Sequence, residues 1–239
     1  MTAQTRRERL RAATLAEART TARRLLVERG TAAVTVNAVA REMGLSGPAL
    51  YRYFTGHDEL VEAMITDFYQ ELGRVVAAAR ELHADGSPGD RLLAMCRALR
   101  GWAVAHPAEF EWTFARPLRE SRGHVPDSPR RAAAVGFERA FLGEFVALWA
   151  QAPYPAPDLA ELEPSLREQL VAYSEGTGGA LPPAAAHVFL TTWVRIYGLL
   201  CMEVLGQLDF AYTDAGPLFE EYLRGVCADL GLEYTPPRA

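Results

Sequence analysis

The chain is predicted to be all-α, with an N-terminal three-helix domain built around a helix-turn-helix and a larger helical domain after it. Two observations carry that expectation. Apolar residues recur three and four positions apart through almost every segment, the spacing that aligns side chains along one face of a helix. Between these segments lie short polar stretches rich in glycine and proline, which end helices and turn the chain.

Residues 35–60, TVNAVAREMGLSGPALYRYFTGHDEL, hold the most information. Val36, Val39, Ala40 and Met43 form an apolar stripe with Asn37, Arg41 and Glu42 opposite, and Thr35 stands where an N-cap hydroxyl accepts from a backbone N–H. Gly44 follows the last apolar position, where the backbone often turns left-handed, and Leu45 is placed to pack back over the turn. Ser46 is expected to cap a second helix whose first turn holds Pro48, where a missing N–H costs nothing. Leu50 and Phe54, four apart, face inward on that helix and leave Ala49, Tyr51, Arg52 and Tyr53 toward the outside.

Helix, tight turn, helix is the arrangement that lays its second helix in the major groove of DNA. Arg52 can donate to a guanine edge or to a phosphate, the tyrosine hydroxyls can reach phosphates, and Gly47 and Ala49 let the backbone approach closely. The competing expectation is a plain αα-hairpin in which the tyrosines are half-buried packing.

The run T-V-x-x-V-A-R-E-M-G-L-S-x-P-A-L-Y-R-Y-F-x-x-x-D-E-L, preceded by A-R-x-L-L-V-E-R-G at residues 22–30, resembles the N-terminal domain of TetR-family transcriptional repressors. The likeness covers about the first quarter of the chain. It implies that Thr35 and Asn37 sit at the DNA edge of the second helix, and that Ser46, Gly47, Pro48, Ala49, Tyr51, Arg52 and Tyr53 form the recognition face. It further implies that His57 opens the fourth helix beside a phosphate. The family usually has lysine there, so a histidine makes the charge of that contact depend on pH near neutrality. Residues 1–57 are then the DNA-binding domain and 58–239 the helical effector-binding and dimerisation domain.

Beyond this stretch, Asp58 to His83 is expected as one long helix with Leu60, Met64, Phe68, Leu72, Val75 and Ala79 inward, ending at the ADGSPG loop. Residues 90–104 give another helix, and HPAEFEWTF begins a further one at Pro107. A polar break from Pro117 to Pro129 precedes a long helix over residues 130–151, carrying Val135, Phe137, Phe141, Phe145, Leu148 and Trp149. PYPAPD, from Pro153 to Asp158, reads as a stiff linker, and SEGTGGALPP, from Ser174 to Pro183, as a loop.

The last two helices, Ala184 to Leu208 and Pro217 to Leu230, carry broad apolar faces, with Gly198 and Gly206 permitting close contact. A second copy of the chain is the simplest partner for them, through Val188, Trp193, Ile196, Leu200, Val204, Leu218, Tyr222 and Val226. A two-fold pair also suits DNA, since it sets two recognition helices in successive major grooves about 34 Å apart. The resemblance implies the same homodimer. The segment T-W-V-R-I-Y-G-L-L-C-M-E-V-L-G is similar to the subgroup marked by Trp, His and Gly, here Trp193, Tyr197 and Gly198, with tyrosine in place of the histidine.

Between the two ends lie Met95, Trp102, His106, Phe110, Trp112, Phe114, Phe137, Phe141, Phe145 and Trp149, joined by Trp193 and Tyr197. Aromatic side chains at helical spacing are ordinarily core, but a group this dense can also line a cavity. The resemblance implies that a small-molecule effector binds here, and aromatic faces with excess carboxylates suit a cationic or planar apolar one. Glu203, alone in a nearly apolar helix, is expected to meet such a ligand or to pair with an arginine across the dimer.

The net charge of −5 is unevenly spread: residues 1–60 hold ten arginines against six carboxylates, while the remainder holds fifteen against twenty-four. That partition separates a part suited to nucleic acid from one that is not. The three cysteines, Cys96, Cys201 and Cys227, are far apart and offer no disulfide framework or CxxC motif. No HExxH, GxSxG, P-loop or Rossmann pattern occurs, so an enzyme is the weaker class and no metal or cofactor is expected. His106 with Glu109 and Glu111 is the nearest imitation of an acid/base site. A sequence-tolerant architectural DNA-binding protein without a ligand is the stronger alternative. No apolar run is expected to reach the length of a membrane span, and the Arg-rich start lacks the apolar segment of a secretory signal, which places the protein in the cytoplasm with no membrane partner.

Overall fold

A computed structural model describes residues 5–115 and 128–237. Most of the break expected from Pro117 to Pro129 lies outside the described residues. Ten α-helices and no strand occur among those described: α1 Arg6–Arg29, α2 Val36–Glu42, α3 Gly47–Tyr51, α4 His57–Glu81, α5 Pro88–Ala105, α6 Pro107–Phe110, α7 Pro129–Gln151, α8 Pro164–Gly176, α9 Pro183–Val204 and α10 Gly216–Asp229. The chain forms two compact units. The first comprises Met1–Glu71 with His106–Val135, and the second Leu72–Ala105 with Gly136–Ala239. The long helix α4 therefore begins in one unit and ends in the other.

In the first unit, α1 opens on a reciprocal cap. The Thr5 hydroxyl accepts from Glu8 N, and the Glu8 carboxylate accepts from Thr5 N at 2.7 Å. Ala18, Ala22, Leu25 and Leu26 are buried at helical spacing, and Gly30, at φ +77°, ends the helix where a side chain would be strained. The opposite side of α1 is held by charge. Arg19 bonds Asp67 of α4, while Arg23 forks to Glu71 of α4 at 2.5 Å and to the buried Glu109 of α6 at 2.8 Å. Both carboxylates raise the affinity of Arg23 for its proton.

The core stripe of α4 follows the expected Leu60, Met64, Phe68 and Leu72, but the next buried residue is Val76 rather than Val75. Unbroken four-residue steps carry the stripe there, and Val61 and Ile65 widen it. After α6 the helix widens into a π-turn at Glu111–Ala115, in which Phe110 and Phe114 lie with ring centroids 4.9 Å apart and Tyr69 meets the edge of Phe114.

In the second unit, Glu144 of α7 is completely buried and receives Arg80 of α4 and Arg91 of α5. Ser174 at the end of α8 donates to Leu181 O at 2.6 Å, closing the α8–α9 turn with Gly178 and Gly179 at positive φ. The helix α9 packs on α8 and α5 and buries Phe189, Ile196 and Leu200. It ends at Val204 rather than Leu208, because Gly206 turns left-handed and Gln207 N returns to Met202 O.

Contrary to the expectation from sequence, α9 is long and apolar enough to cross a membrane. Within the fold it is a packed helix carrying two ion-paired residues, Arg195 with Asp229 and Glu203 with Arg100. The second pair also corrects the expected role of Glu203. Its carboxylate is taken by Arg100 of its own chain at 2.6 Å, leaving none for a partner copy or a cationic ligand.

A buried carboxylate with two guanidinium partners is costly to break. Replacing Glu144 by Gln keeps its volume but leaves the largely buried Arg91 without a counter-charge. Urea unfolding of E144Q should show a loss of about 3 kcal/mol, the scale of a broken buried pair.

Candidate nucleic-acid interface

Local chemistry fixes the helix-turn-helix. Thr35 accepts from Ala38 N at 3.1 Å and caps α2, as its position requires. Gly44 adopts φ +69°, and Leu45 N returns to Ala40 O at 2.8 Å, which turns the chain into α3. Ser46 occupies the N-cap of α3, yet its hydroxyl makes no capping bond. Its carbonyl accepts from Ala49 and Leu50 N instead, leaving the exposed hydroxyl uncommitted to the helix. Leu50 and Phe54 are buried and anchor α3.

The opposite face stands open. Pro48, Tyr51 and Arg52 are exposed, Tyr51 by 46%, with Gly47, Ala49 and Tyr53 intermediate between them. Asn37 and Thr35 of α2 are exposed beside them. A Cβ on Gly47 would come within 2.5 Å of Asn37 Oδ1, so the absence of a side chain at Gly47 is what lets the Asn37 carboxamide lie against α3. His57 opens α4 and is exposed, with the Glu59 carboxylate accepting from Thr55 N and Oγ1 at the same end.

The acidic residue of α2 does not compete with an anionic ligand. Arg24 and Arg29 bond the two oxygens of Glu42 at 2.7 and 3.0 Å and hold its carboxyl below the usual range. Arg6, Arg7, Leu10 and Arg11 of α1 line an open groove of about 660 Å³ with Arg52 and Tyr53. The Arg11 guanidinium lies over the Tyr53 ring at 5.3 Å. The α1 arginines were visible in the sequence as TRRERLR, but a periodicity along one helix does not reveal which distant side chains it meets.

The other expected sites divide between the units. In the first, Phe110 and Trp112 are buried, and His106 and Phe114 are half-buried. His106 lies 3.9 Å from Glu71, and Glu109 is committed to Arg23, so no free acid/base pair forms there. In the second, Met95, Trp102, Phe137, Phe141 and Phe145 are buried, while Trp149, Trp193 and Tyr197 are half-buried. Trp193 packs on Phe137 and Phe141, and Phe145 on Phe189 and Tyr154, so these rings fill space with one another.

Of the residues expected between copies, Val188, Trp193, Val204, Leu218 and Tyr222 are half-buried. Ile196, Leu200 and Val226 are at most 4% exposed and are core of their own chain, out of reach of a partner. The open apolar row is instead Val194 and Met202 of α9 with Leu205 at its C-cap, turned away from the buried residues that apolar density alone singled out. Cys96 and Cys227 are buried, and burial pushes the Cys96 thiol up to about 12, far from a reactive thiolate. No group of three or more metal-ligating side chains is found among the described residues.

An open recognition helix, a neighbouring carboxamide and a basic groove define a helix-turn-helix DNA-binding protein. The family model for bacterial regulatory proteins of the tetR family matches residues 19–64, and that for the tetracyclin repressor-like C-terminal domain matches residues 92–226. The chain belongs to the TetR family of DNA-binding transcriptional regulators. It is 29% identical over 210 residues to the HTH-type transcriptional regulator Rv1816 of Mycobacterium tuberculosis, spanning 87% of this chain and 88% of that protein. Among solved structures it is similar to SCO4313, with a TM-score of 0.69 and 28% identity over 94% of this chain and all of the other. Thermus thermophilus FadR, a TetR-family repressor solved with lauroyl-CoA, shares the fold at a TM-score of 0.53 and 18% identity, over 94% and 99% of the two chains.

Gly47→Ala places its methyl where Asn37 Oδ1 now lies. The side-chain end can swing away, so the variant should keep its melting temperature to within a few degrees, as for a change under about 1 kcal/mol. Its affinity for duplex DNA should fall at least tenfold, which a fluorescence anisotropy titration reads.

Proposed function

We propose that the protein is a repressor that binds a palindromic operator as a homodimer and leaves it when a small-molecule effector binds. The observation that carries the DNA half is the open face of α3, where Tyr51 and Arg52 project beside Asn37 with no role in the core. In this reading Thr35, Asn37, Ser46, Gly47, Pro48, Ala49, Tyr51, Arg52, Tyr53 and His57 meet DNA, residues 1–57 form the reading domain and residues 58–239 hold the effector and the dimer contact.

The dimer reading is supported by the exposed apolar row Val194, Met202 and Leu205 on α9, an arrangement that water disfavours and a second copy can cover. Val188, Val204, Leu218 and Tyr222 of α9 and α10 are half-buried and so still open to a partner. Trp193, Tyr197 and Gly198 keep the likeness to the Trp-His-Gly subgroup, with the hydroxyl of tyrosine standing where the imidazole is expected.

The effector reading is supported by Trp112. Its Nε1–H is buried with no acceptor among the described residues, which costs stability unless something supplies one. An apolar molecule bearing a hydrogen-bond acceptor would satisfy that donor. FadR, with the same fold, holds lauroyl-CoA. Release follows as a population shift in which effector binding favours a displaced α4, and α4 opens directly after the recognition helix. Reversing occupancy from 1:99 to 99:1 takes an effector preference of about 10⁴-fold for the released state. Such a regulator works in the cytoplasm, where the DNA is.

Arg52→Ala should abolish the shift of operator DNA in a gel assay while light scattering still reports a dimer. Retained binding would overturn the assignment of α3. Val194→Asp puts a charge on the most exposed residue of the apolar row, and it should convert the dimer to monomer in light scattering at micromolar concentration. A dimer as tight as wild type would move the interface elsewhere.

A further inference from the structure

Three arginines of α1 fall outside the recognition helix but share a groove with Arg52 and Tyr53, which directly follow it. We propose that Arg6, Arg7 and Arg11 form, with Arg52 and Tyr53, a clamp for the phosphodiester backbone of DNA flanking the base pairs that α3 reads. The clamp rests on the reading of α3 as a recognition helix and extends the DNA contact to the first turns of α1.

Charge is the first argument. The groove is lined by four guanidinium groups, and none of its lining residues is acidic. Like charges gathered in one concavity repel, and a stable fold keeps them together where an anion offsets the repulsion. Glu8, the carboxylate on the same turn of α1, is turned to the N-cap, where it accepts from Thr5 N. That bond leaves the groove without an internal counter-ion and holds the first turn of α1 helical, so that the arginines project from a fixed frame.

Helix polarity is the second argument. The N-terminal end of a helix carries partial positive charge, which favours acidic side chains and disfavours basic ones. Arg6, Arg7 and Arg9 in the first turn of α1 run against that preference, and Glu8 alone there follows it. An anion at this end satisfies the dipole and the guanidinium groups together.

Shape identifies which anion. The groove is open rather than enclosed, and it holds no pair of facing aromatic walls for a free base; a strand with a phosphate every few ångströms can pass along it and meet several guanidinium groups in turn. The groove shares Arg52 and Tyr53 with α3, so a strand lying in it is the one bordering the groove of DNA that α3 enters. Arg11 stacks on Tyr53 at 5.3 Å and thereby fixes the ring that joins the two surfaces. Arg52 in this arrangement serves a phosphate rather than a guanine edge.

Salt dependence tests the clamp, because each phosphate contact adds about 0.9 to the slope of log affinity against log salt. A duplex of about 30 base pairs, long enough for two half-sites a helical turn apart, is selected from a random pool with wild-type protein. Binding by wild type, R6A/R7A and R6K/R7K is then measured between about 50 and 200 mM KCl. R6A/R7A should lose about 1.8 of slope per bound protomer while preserving the affinity ratio between the selected and a scrambled duplex. R6K/R7K should restore the slope. An R6A/R7A slope equal to wild type, with melting temperature unchanged, would overturn the clamp and leave the α3 reading standing. A collapse of the affinity ratio at unchanged slope would overturn it in favour of base contacts by α1. Wild-type protein that selects no duplex would overturn the α3 reading and the clamp with it.

Discussion

Arg23 is the tie on which the first unit depends. It sits on the polar side of α1, bonds Glu71 of α4, and reaches the buried Glu109 of α6, a residue 86 positions further along the chain. A carboxylate with so little exposure needs a cation, because desolvation otherwise drives it to take up a proton or move toward water. Arginine suits the place better than lysine would, since its planar fork can serve two carboxylates at once. The consequence is architectural. α6 follows a helix of the second unit in sequence, yet it folds with α1 and α4 of the first, so the segment that returns from one unit is fastened to the helix that supports the DNA-reading pair.

Electrostatics on the DNA side follow one pattern, in which three carboxylates near the reading face are engaged. Glu42 lies between Arg24 and Arg29, Glu8 caps Thr5, and Glu59 accepts from Thr55. The arginines left over are those around α3 and the start of α1. Overall acidity is therefore compatible with DNA binding, since the field at short range is set by which cations are internally satisfied and the distant carboxylates are screened within about 10 Å at ordinary salt.

The helix-turn-helix was legible in the sequence because its signals are local. Thr35 as a cap, Gly44 as a left-handed turn, and Leu50 with Phe54 as anchors each depend on neighbours within five residues. Gly47 was legible only in part: smallness was read as room for backbone approach, whereas the structure uses it to seat Asn37. The helices of the second unit were visible as helices, but their faces were not, since an apolar run such as that of α9 offers no polar stripe to orient it. Ile196 and Leu200 consequently went inward and Val194 and Met202 outward, and only packing on α5 and α8 decides between them. Glu203 was misassigned for the same reason, as its partner Arg100 lies 103 positions away. Contacts of that separation leave no periodic trace.

The π-turn after α6 lies next to the Glu109–Arg23 contact with α1. Glu109 locks one side of this segment to Arg23, and three residues later Trp112 presents a buried donor with no acceptor among the described residues. A π-turn holds an extra residue per turn, and the widened ladder is readily reset to an ordinary α-turn by a shift of one residue. In the proposed effector reading, a ligand that gives Trp112 Nε1 an acceptor would favour one of those two registers. Because Glu109 is anchored to α1, a change of register has to be absorbed either at Phe114 and Tyr69 or at the Arg23 tie itself. Each route ends on α4 or α1, and both helices support α3. In the proposed effector reading, the Trp112 donor is where binding energy would enter, and the Arg23–Glu109 pair is the contact that would pass it to α1.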